Sequence, residues 1–124
     1  RVKKVGLPHG GLAFCHKKYL VKLMKNNLNL KNMISYSKGG VTSKVIIKSD
    51  VLNVTLFCMA AGTDISEHTS TKEGTVHVLE GKGIFTLTGT NIKMKPGVLF
   101  HMSASMPHSI AAYENTSFLL TLAK

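Results

Sequence analysis

The stretch that decides the fold begins Gly62-Thr-Asp-Ile-Ser-Glu-His68 and continues with Thr75-Val-His-Val-Leu-Glu-Gly81. After a hairpin come Gly97 and then Met106-Pro-His108. These residues indicate a loop that carries a histidine, a buried strand closed by a glycine turn, and a second glycine turn before another histidine. The order predicts a protein of short strands and tight turns, with one histidine at each of two turns.

This arrangement resembles the two motifs of the cupin family, G-x5-H-x-H-x3/4-E-x6-G and G-x5-P-x-G-x2-H-x3-N. Gly62, His68 and Gly81 occupy their places in the first motif, and Gly97 and His108 occupy theirs in the second. The resemblance implies an all-β protein of the RmlC-like type, in which a double-stranded β-helix, or jelly roll, closes into a barrel.

Other motif positions are changed in this chain. The second histidine falls on Ser70, and the glutamate falls on Gly74, with Glu73 one residue out of register. In the second motif the Pro, Gly and Asn are replaced in turn by Ser103, Ser105 and Ala112. In the family these motifs supply three His and one Glu to a divalent metal, so two of the four ligands are present here.

The resemblance makes His68 and His108 candidate ligands of a divalent transition metal such as Fe, Mn, Ni, Zn or Cu. Two imidazoles alone form a weak site, because a retained catalytic ion usually has three or more protein ligands. Glu73 or His101 would have to supply the third. His77 alternates with inward-facing valines and is expected to point outward.

The remaining wall of the cavity is expected to be largely apolar, with methionines that adapt to the shape of a ligand. The residues expected there are Ser70, Val76, Val78, Phe85, Met102 and Met106. The sequence has no nucleophile-elbow serine and no paired carboxylates, so it assigns no catalytic residue. Acid–base chemistry would fall on His68, His108 or Glu73.

Short apolar segments separated by turn residues predict eight strands, and none of their connections is long enough for a crossover helix. They are 42–48, 53–60, 75–80, 83–88, 91–95, 98–102, 108–112 and 116–122. One barrel domain is expected over residues 24–124. Residues 1–23 read as a basic arm, poorly structured or forming a short helix over 16–24, and as upstream or non-native sequence.

The net charge of +10 raises the question of a nucleic-acid partner. Residues 1–23 hold six of the sixteen basic side chains and no acid, and the later lysines are scattered without aromatic neighbours. Neither nucleic acid nor a membrane is therefore expected as a partner. Cys15 and Cys58 form no disulfide framework, which favours the cytoplasm. Strands that are apolar on both faces predict a homodimer, because so short a chain has little else to cover them.

Three functions remain open on these grounds. The favoured one is a cupin barrel that binds a small molecule beside a degenerate metal site. The alternative is a metal-dependent oxygenase, isomerase or lyase of the kinds that the family contains, using His68 and His108 with a substitute third ligand. The third is a barrel filled by its own side chains, with no ligand.

Overall fold

The computed structural model describes residues 26–124 and, before them, only the backbone of residues 2–5 and 16–20. The strands of these residues are β1 Val2–Val5, β2 His16–Leu20, β3 Val41–Lys48, β4 Leu52–Met59, β5 Asp64–His68, β6 Gly74–Glu80, β7 Gly83–Leu87, β8 Thr90–Met94, β9 Leu99–Met102, β10 His108–Ala112 and β11 Thr116–Ala123. One 3-10 turn, Leu30–Met33, precedes β3.

The strands form two sheets, as an all-β jelly roll requires. The larger sheet has the order β1-β2-β3-β4-β11-β6-β9, and the smaller has the order β5-β10-β7-β8. Neighbouring strands are antiparallel except for β2 and β3, which are parallel. The all-β fold predicted from the sequence is confirmed.

The main core lies between the two sheets. Val76 and Phe118 reach it from the larger sheet, and Phe85 and Ile110 reach it from the smaller. Their side chains are almost completely buried, because residues at alternate positions of each strand face the opposite sheet. The same four side chains also line the cavity described below.

A second apolar cluster covers part of the outer face of the larger sheet. Leu56 and Cys58 of β4 are fully buried there, and residues 30–36 pack over them. The Tyr36 hydroxyl donates a hydrogen bond to Glu80 at 2.6 Å, and the Lys44 ammonium donates one to the carbonyl of Met33. Residues 30–36 therefore cover part of the outer face for which the sequence predicts a second subunit.

Cys58 lies in this second cluster as the small buried residue predicted from the sequence. Its burial raises the pKa of the thiol, so the thiol stays protonated and unreactive. Cys15 lies outside the described residues. In the part of the chain that the structure describes, no helix is long and apolar enough to span a membrane.

Two local predictions need correction. Residues 64–68, which the sequence predicts to be part of a loop, form strand β5 because they pair with β10. Residues 16–20 form strand β2 and not the beginning of a short helix. A short isolated helix is only marginally stable in water, whereas pairing with β3 gives these residues backbone hydrogen bonds to a neighbouring strand. Residues 21–24 lie outside the described residues, and the domain boundary at residue 24 stays a prediction.

Candidate functional site

His68 and His108 come together because they end and begin neighbouring strands. His68 is the last residue of β5, His108 is the first of β10, and the two are partners in the antiparallel pairing. Their ring centroids lie 4.2 Å apart with the planes inclined at 61°. The histidine pair predicted from the sequence thus exists inside the barrel, from residues forty positions apart in the chain.

Each histidine ring is held by the backbone carbonyl of the residue two positions before it. Nδ1 of His68 lies 2.8 Å from the carbonyl oxygen of Ser66, and Nδ1 of His108 lies 2.9 Å from that of Met106. A carbonyl oxygen only accepts, so Nδ1 carries the hydrogen in both rings. In the neutral rings Nε2 is then the lone-pair nitrogen, which is the state that an imidazole needs to accept a hydrogen bond or to bind a metal.

Burial also sets the charge of His108. Desolvation lowers the pKa of its imidazole, and the nearby His68 lowers it further, while the hydrogen bond to Met106 acts in the opposite direction. His108 is only 6% exposed. We therefore expect a neutral ring at neutral pH.

The pair opens onto a cavity of about 200 Å³ between the two sheets. Its lining consists of the two histidines and eight apolar residues, Phe57, Ile65, Val76, Phe85, Met102, Ile110, Phe118 and Leu120. Phe85 lies parallel to His108, with 6.0 Å between ring centroids. The site is therefore an apolar cavity whose polar side chains are the two imidazoles.

The six residues expected to line the cavity separate into two groups. Val76, Phe85 and Met102 do line it. Val78 is fully buried in the main core, outside the lining. Ser70 and Met106 lie in the loops next to the histidines, where the Ser70 hydroxyl accepts a hydrogen bond from the Lys72 amide and the Met106 sulfur accepts one from the Ser103 amide.

The two candidates for a third metal ligand interact with each other instead. Nε2 of His101 lies 2.5 Å from a carboxylate oxygen of Glu73, and both side chains are more than half exposed. His101 is opposite Thr75 in the pairing of β9 with β6, whereas its neighbour Met102 faces the cavity. Among the described residues no three His, Cys, Asp or Glu side chains are grouped to hold a metal. Two imidazoles therefore remain as the donor set, which is short of a complete site.

The neighbouring strand explains why the motif glutamate is missing at Gly74. A Cβ at this position would come within 2.6 Å of the backbone oxygen of Thr121 and of the Leu122 side chain. No side chain is accommodated there without moving β11, so the register that places the glutamate at residue 74 is closed in this chain. His77, as expected, is exposed on the outer face.

Five lining residues are not among the six named from the sequence, and they are Phe57, Ile65, Ile110, Phe118 and Leu120. Ile110 lies two positions after His108, and alternation along the strand would have found it. Ile65 lies three positions before His68, and strict alternation would therefore place the Ile65 side chain on the face opposite to His68. The β5–β10 register shifts between them, so that two steps on β10 are matched by three on β5, and this bulge brings both side chains to the cavity.

Comparison with known proteins agrees with this geometry. The sequence profile described as "Cupin domain" matches residues 55–122. A conserved protein of unknown function from Streptococcus pyogenes superimposes with a TM-score of 0.76 at 23% identity, over 86% of this chain and 94% of that one. A cupin superfamily protein from Desulfitobacterium hafniense gives 0.74 at 23% identity, over 82% and 93%.

A third solved structure is more similar in sequence. The cupin 2 conserved barrel domain protein from Leptotrichia buccalis is 28% identical, with a TM-score of 0.73 over 78% of this chain and 47% of that one. No curated protein matches the sequence. The two structures below 25% identity establish the shared fold, and the chemistry has to be argued from the residues of this chain.

Proposed function

This chain belongs to the cupin domain family, and we propose that it binds a small molecule in the barrel cavity, where His68 and His108 supply the polar contacts beside a degenerate metal site. The observation that carries the proposal is the histidine pair at an otherwise apolar cavity of about 200 Å³. Concave, mostly apolar cavities with a few convergent polar groups are the usual form of small-molecule sites.

The cavity also argues against a barrel filled by its own side chains. A packed protein interior leaves few voids larger than a water molecule. Here the space lies directly beside two imidazoles whose Nε2 atoms are left as acceptors by the Nδ1 hydrogen bonds. A ligand would bury both the apolar wall and these acceptors.

The test is a thermal-shift screen of chemically mixed fragments against protein stripped of metal by a chelator. Val76→Phe places a larger side chain in the cavity lining, so we expect it to abolish the shifts seen with the wild type. Val51→Phe is the matched control because Val51 is exposed in the β3–β4 turn, and it should keep them. Shifts that survive in Val76→Phe, or no shifts with any fragment, would contradict the proposal.

A metal-dependent oxygenase, isomerase or lyase is the second candidate. The Nδ1 hydrogen bonds favour it, because metal-binding histidines characteristically donate their other ring nitrogen to a carbonyl or carboxylate. The donor set opposes it, since Glu73 and His101 are bonded to each other at 2.5 Å. One of them would have to leave that pair to join His68 and His108.

Metal content separates the two candidates. The protein would be soaked with Mn, Fe, Ni, Zn or Cu and passed through gel filtration before elemental analysis. About one retained equivalent, lost in His68→Ala and in Glu73→Gln or His101→Gln, would favour the enzyme. Retention of no metal would favour the binding protein.

We also propose that the chain forms a homodimer through the part of the outer face that residues 30–36 leave uncovered. Leu99 of β9 is 63% exposed and is the pairing partner of His77 on β6, which is also exposed. An exposed leucine on an edge strand is a common point of contact between subunits. We expect this dimer in the cytoplasm, without nucleic acid or membrane.

A further inference from the structure

The chemistry of the ligand can be inferred from what the cavity lacks. Eight of its ten lining residues are apolar, and neither Lys nor Arg is among the residues that line it. A polar group that is buried without a partner loses its hydrogen bonds to water, and an unpaired buried charge is more costly still. A ligand in this cavity must therefore be apolar over most of its surface.

The histidines determine which polar group is accepted. Both rings donate Nδ1–H to a carbonyl, so each neutral ring offers only an acceptor, Nε2, for a ligand. A ligand has to bring the donor, as a hydroxyl or an N–H does. A carboxylate offers acceptors only, so beside two neutral rings it would meet two further acceptors and no Lys or Arg among the lining residues.

The volume and shape of the cavity restrict the ligand further. An apolar cavity of about 150 Å³ holds benzene, so about 200 Å³ suits one ring with a small substituent. Phe57 and Phe118 stack with 5.0 Å between their centroids, and Phe85 lies parallel to the His108 ring. Such aromatic walls favour a planar ring as the occupant. A sugar of similar size would leave most of its hydroxyls unpaired against the apolar wall.

We propose that the ligand is a neutral single-ring phenol whose hydroxyl donates to Nε2 of His68 or His108, an inference that rests on the cavity being the ligand site. The aromatic ring occupies the apolar cavity between the two sheets. The hydroxyl is the one ligand group that meets a polar partner.

The experiment compares four probes on chelator-treated wild-type protein by calorimetric titration and NMR. They are p-cresol, toluene, benzoate and glucose. Toluene matches the ring and methyl group of p-cresol but lacks the hydroxyl. We expect p-cresol to bind several-fold to about tenfold more tightly than toluene, as one hydrogen bond allows. Benzoate and glucose should bind more weakly than either.

Variants locate the hydrogen bond. In His68→Phe and in His108→Phe we expect the preference for p-cresol over toluene to fall, with the larger fall at the histidine that accepts the hydroxyl. Val51→Phe is the control because Val51 is exposed in the β3–β4 turn and is not among the residues that line the cavity. The comparison among probes in the wild type needs no variant, so it stands even where a variant folds poorly.

Three results would overturn the inference. Equal affinity for p-cresol and toluene would contradict the hydrogen bond from the hydroxyl to histidine. Tightest binding of benzoate or glucose would show that the ligand is an acid or a sugar and not a phenol. In each of these cases the cavity still binds a molecule, so the proposed function stands. If no probe binds and the fragment screen is also negative, the proposed function fails with it.

Discussion

Ser105 occupies the motif position where the family has glycine, and its backbone shows the consequence. Its φ is +66°, in the left-handed region that side chains other than glycine rarely adopt. Its amide donates to the carbonyl of Ser70 at 2.6 Å, which ties the loop before His108 to the loop after His68. The serine thus keeps a glycine conformation at an energetic cost.

Ser105→Gly should therefore stabilise the protein. Removing the Cβ relieves a strain of roughly 1–2 kcal/mol, partly offset by the greater freedom of glycine in the unfolded chain, about 0.5–1 kcal/mol. We expect a net gain of about 1 kcal/mol in the free energy of unfolding, measured by urea titration. Ser103→Gly, in the same loop but without positive φ, should lose stability. Equal effects of the two changes would mean that strain at residue 105 is unimportant.

His108 gives a pH dependence whose sign follows from its lowered pKa. The unfolded chain takes up a proton near pH 6.5, whereas the buried ring of the folded protein does so only at lower pH. Stability is therefore fully present above about pH 6.5 and falls as the pH drops below it, until the lowered pKa of the folded protein is reached. The melting temperature of metal-free protein should decrease between about pH 7.5 and about pH 5.

A variant comparison assigns this decrease to His108. His108→Phe removes the titrating group beside the parallel ring of Phe85, and its melting temperature should change less over the same pH range. A pH dependence that is unchanged in His108→Phe would place the titrating group elsewhere.

At the scale of elements, residues 30–36 act as a cover over the outer face of β4. Tyr36 fixes this cover to β6 through its hydroxyl, which donates to Glu80 at 2.6 Å. Burial and the neighbouring Glu80 carboxylate raise the pKa of Tyr36, so the hydroxyl keeps its hydrogen through the physiological range. The segment is thus held by a specific bond as well as by apolar packing.

Tyr36→Phe should lower the free energy of unfolding by about 0.5–1.5 kcal/mol, the usual contribution of one hydrogen bond. The ring remains, so packing over Leu56 and Cys58 is unchanged. Tyr113→Phe is the matched control, because its ring is 60% exposed in the turn after β10 and it is not part of the cluster that residues 30–36 cover. Chemical denaturation measures both. A loss in Tyr113→Phe as large as in Tyr36→Phe would contradict the role given to the Glu80 bond.

The same elements show how far the sequence could predict the structure. β6 was found from its alternating valines, and the histidine pair from the motif spacing. β5 was missed because Asp64, Ser66 and Glu67 give it little apolar pattern, and because its bulge breaks the alternation. The Glu73–His101 pair joins a loop to an edge strand, and local patterns carry no information on such a contact.

At the scale of the whole molecule, the two faces of the larger sheet differ in what covers them. The inner face packs against the smaller sheet, with the cavity between them. The outer face is covered by residues 30–36 over β4, whereas His77 of β6 and Leu99 of β9 are exposed and none of the described residues covers them. This asymmetry determines where a second subunit would bind.

Leu99→Glu therefore tests the homodimer directly. A glutamate on the uncovered part of β9 would meet its copy or the apolar surface of the partner, and burying that charge would separate the subunits. We expect dimers of wild-type protein and monomers of the variant by light scattering after gel filtration. Val51→Glu changes a residue of similar exposure, 67% against 63%, in a turn at a different edge of the fold, and it should leave the dimer intact. A monomeric wild type would remove the proposal, and dissociation by Val51→Glu alone would move the interface to the β3–β4 turn.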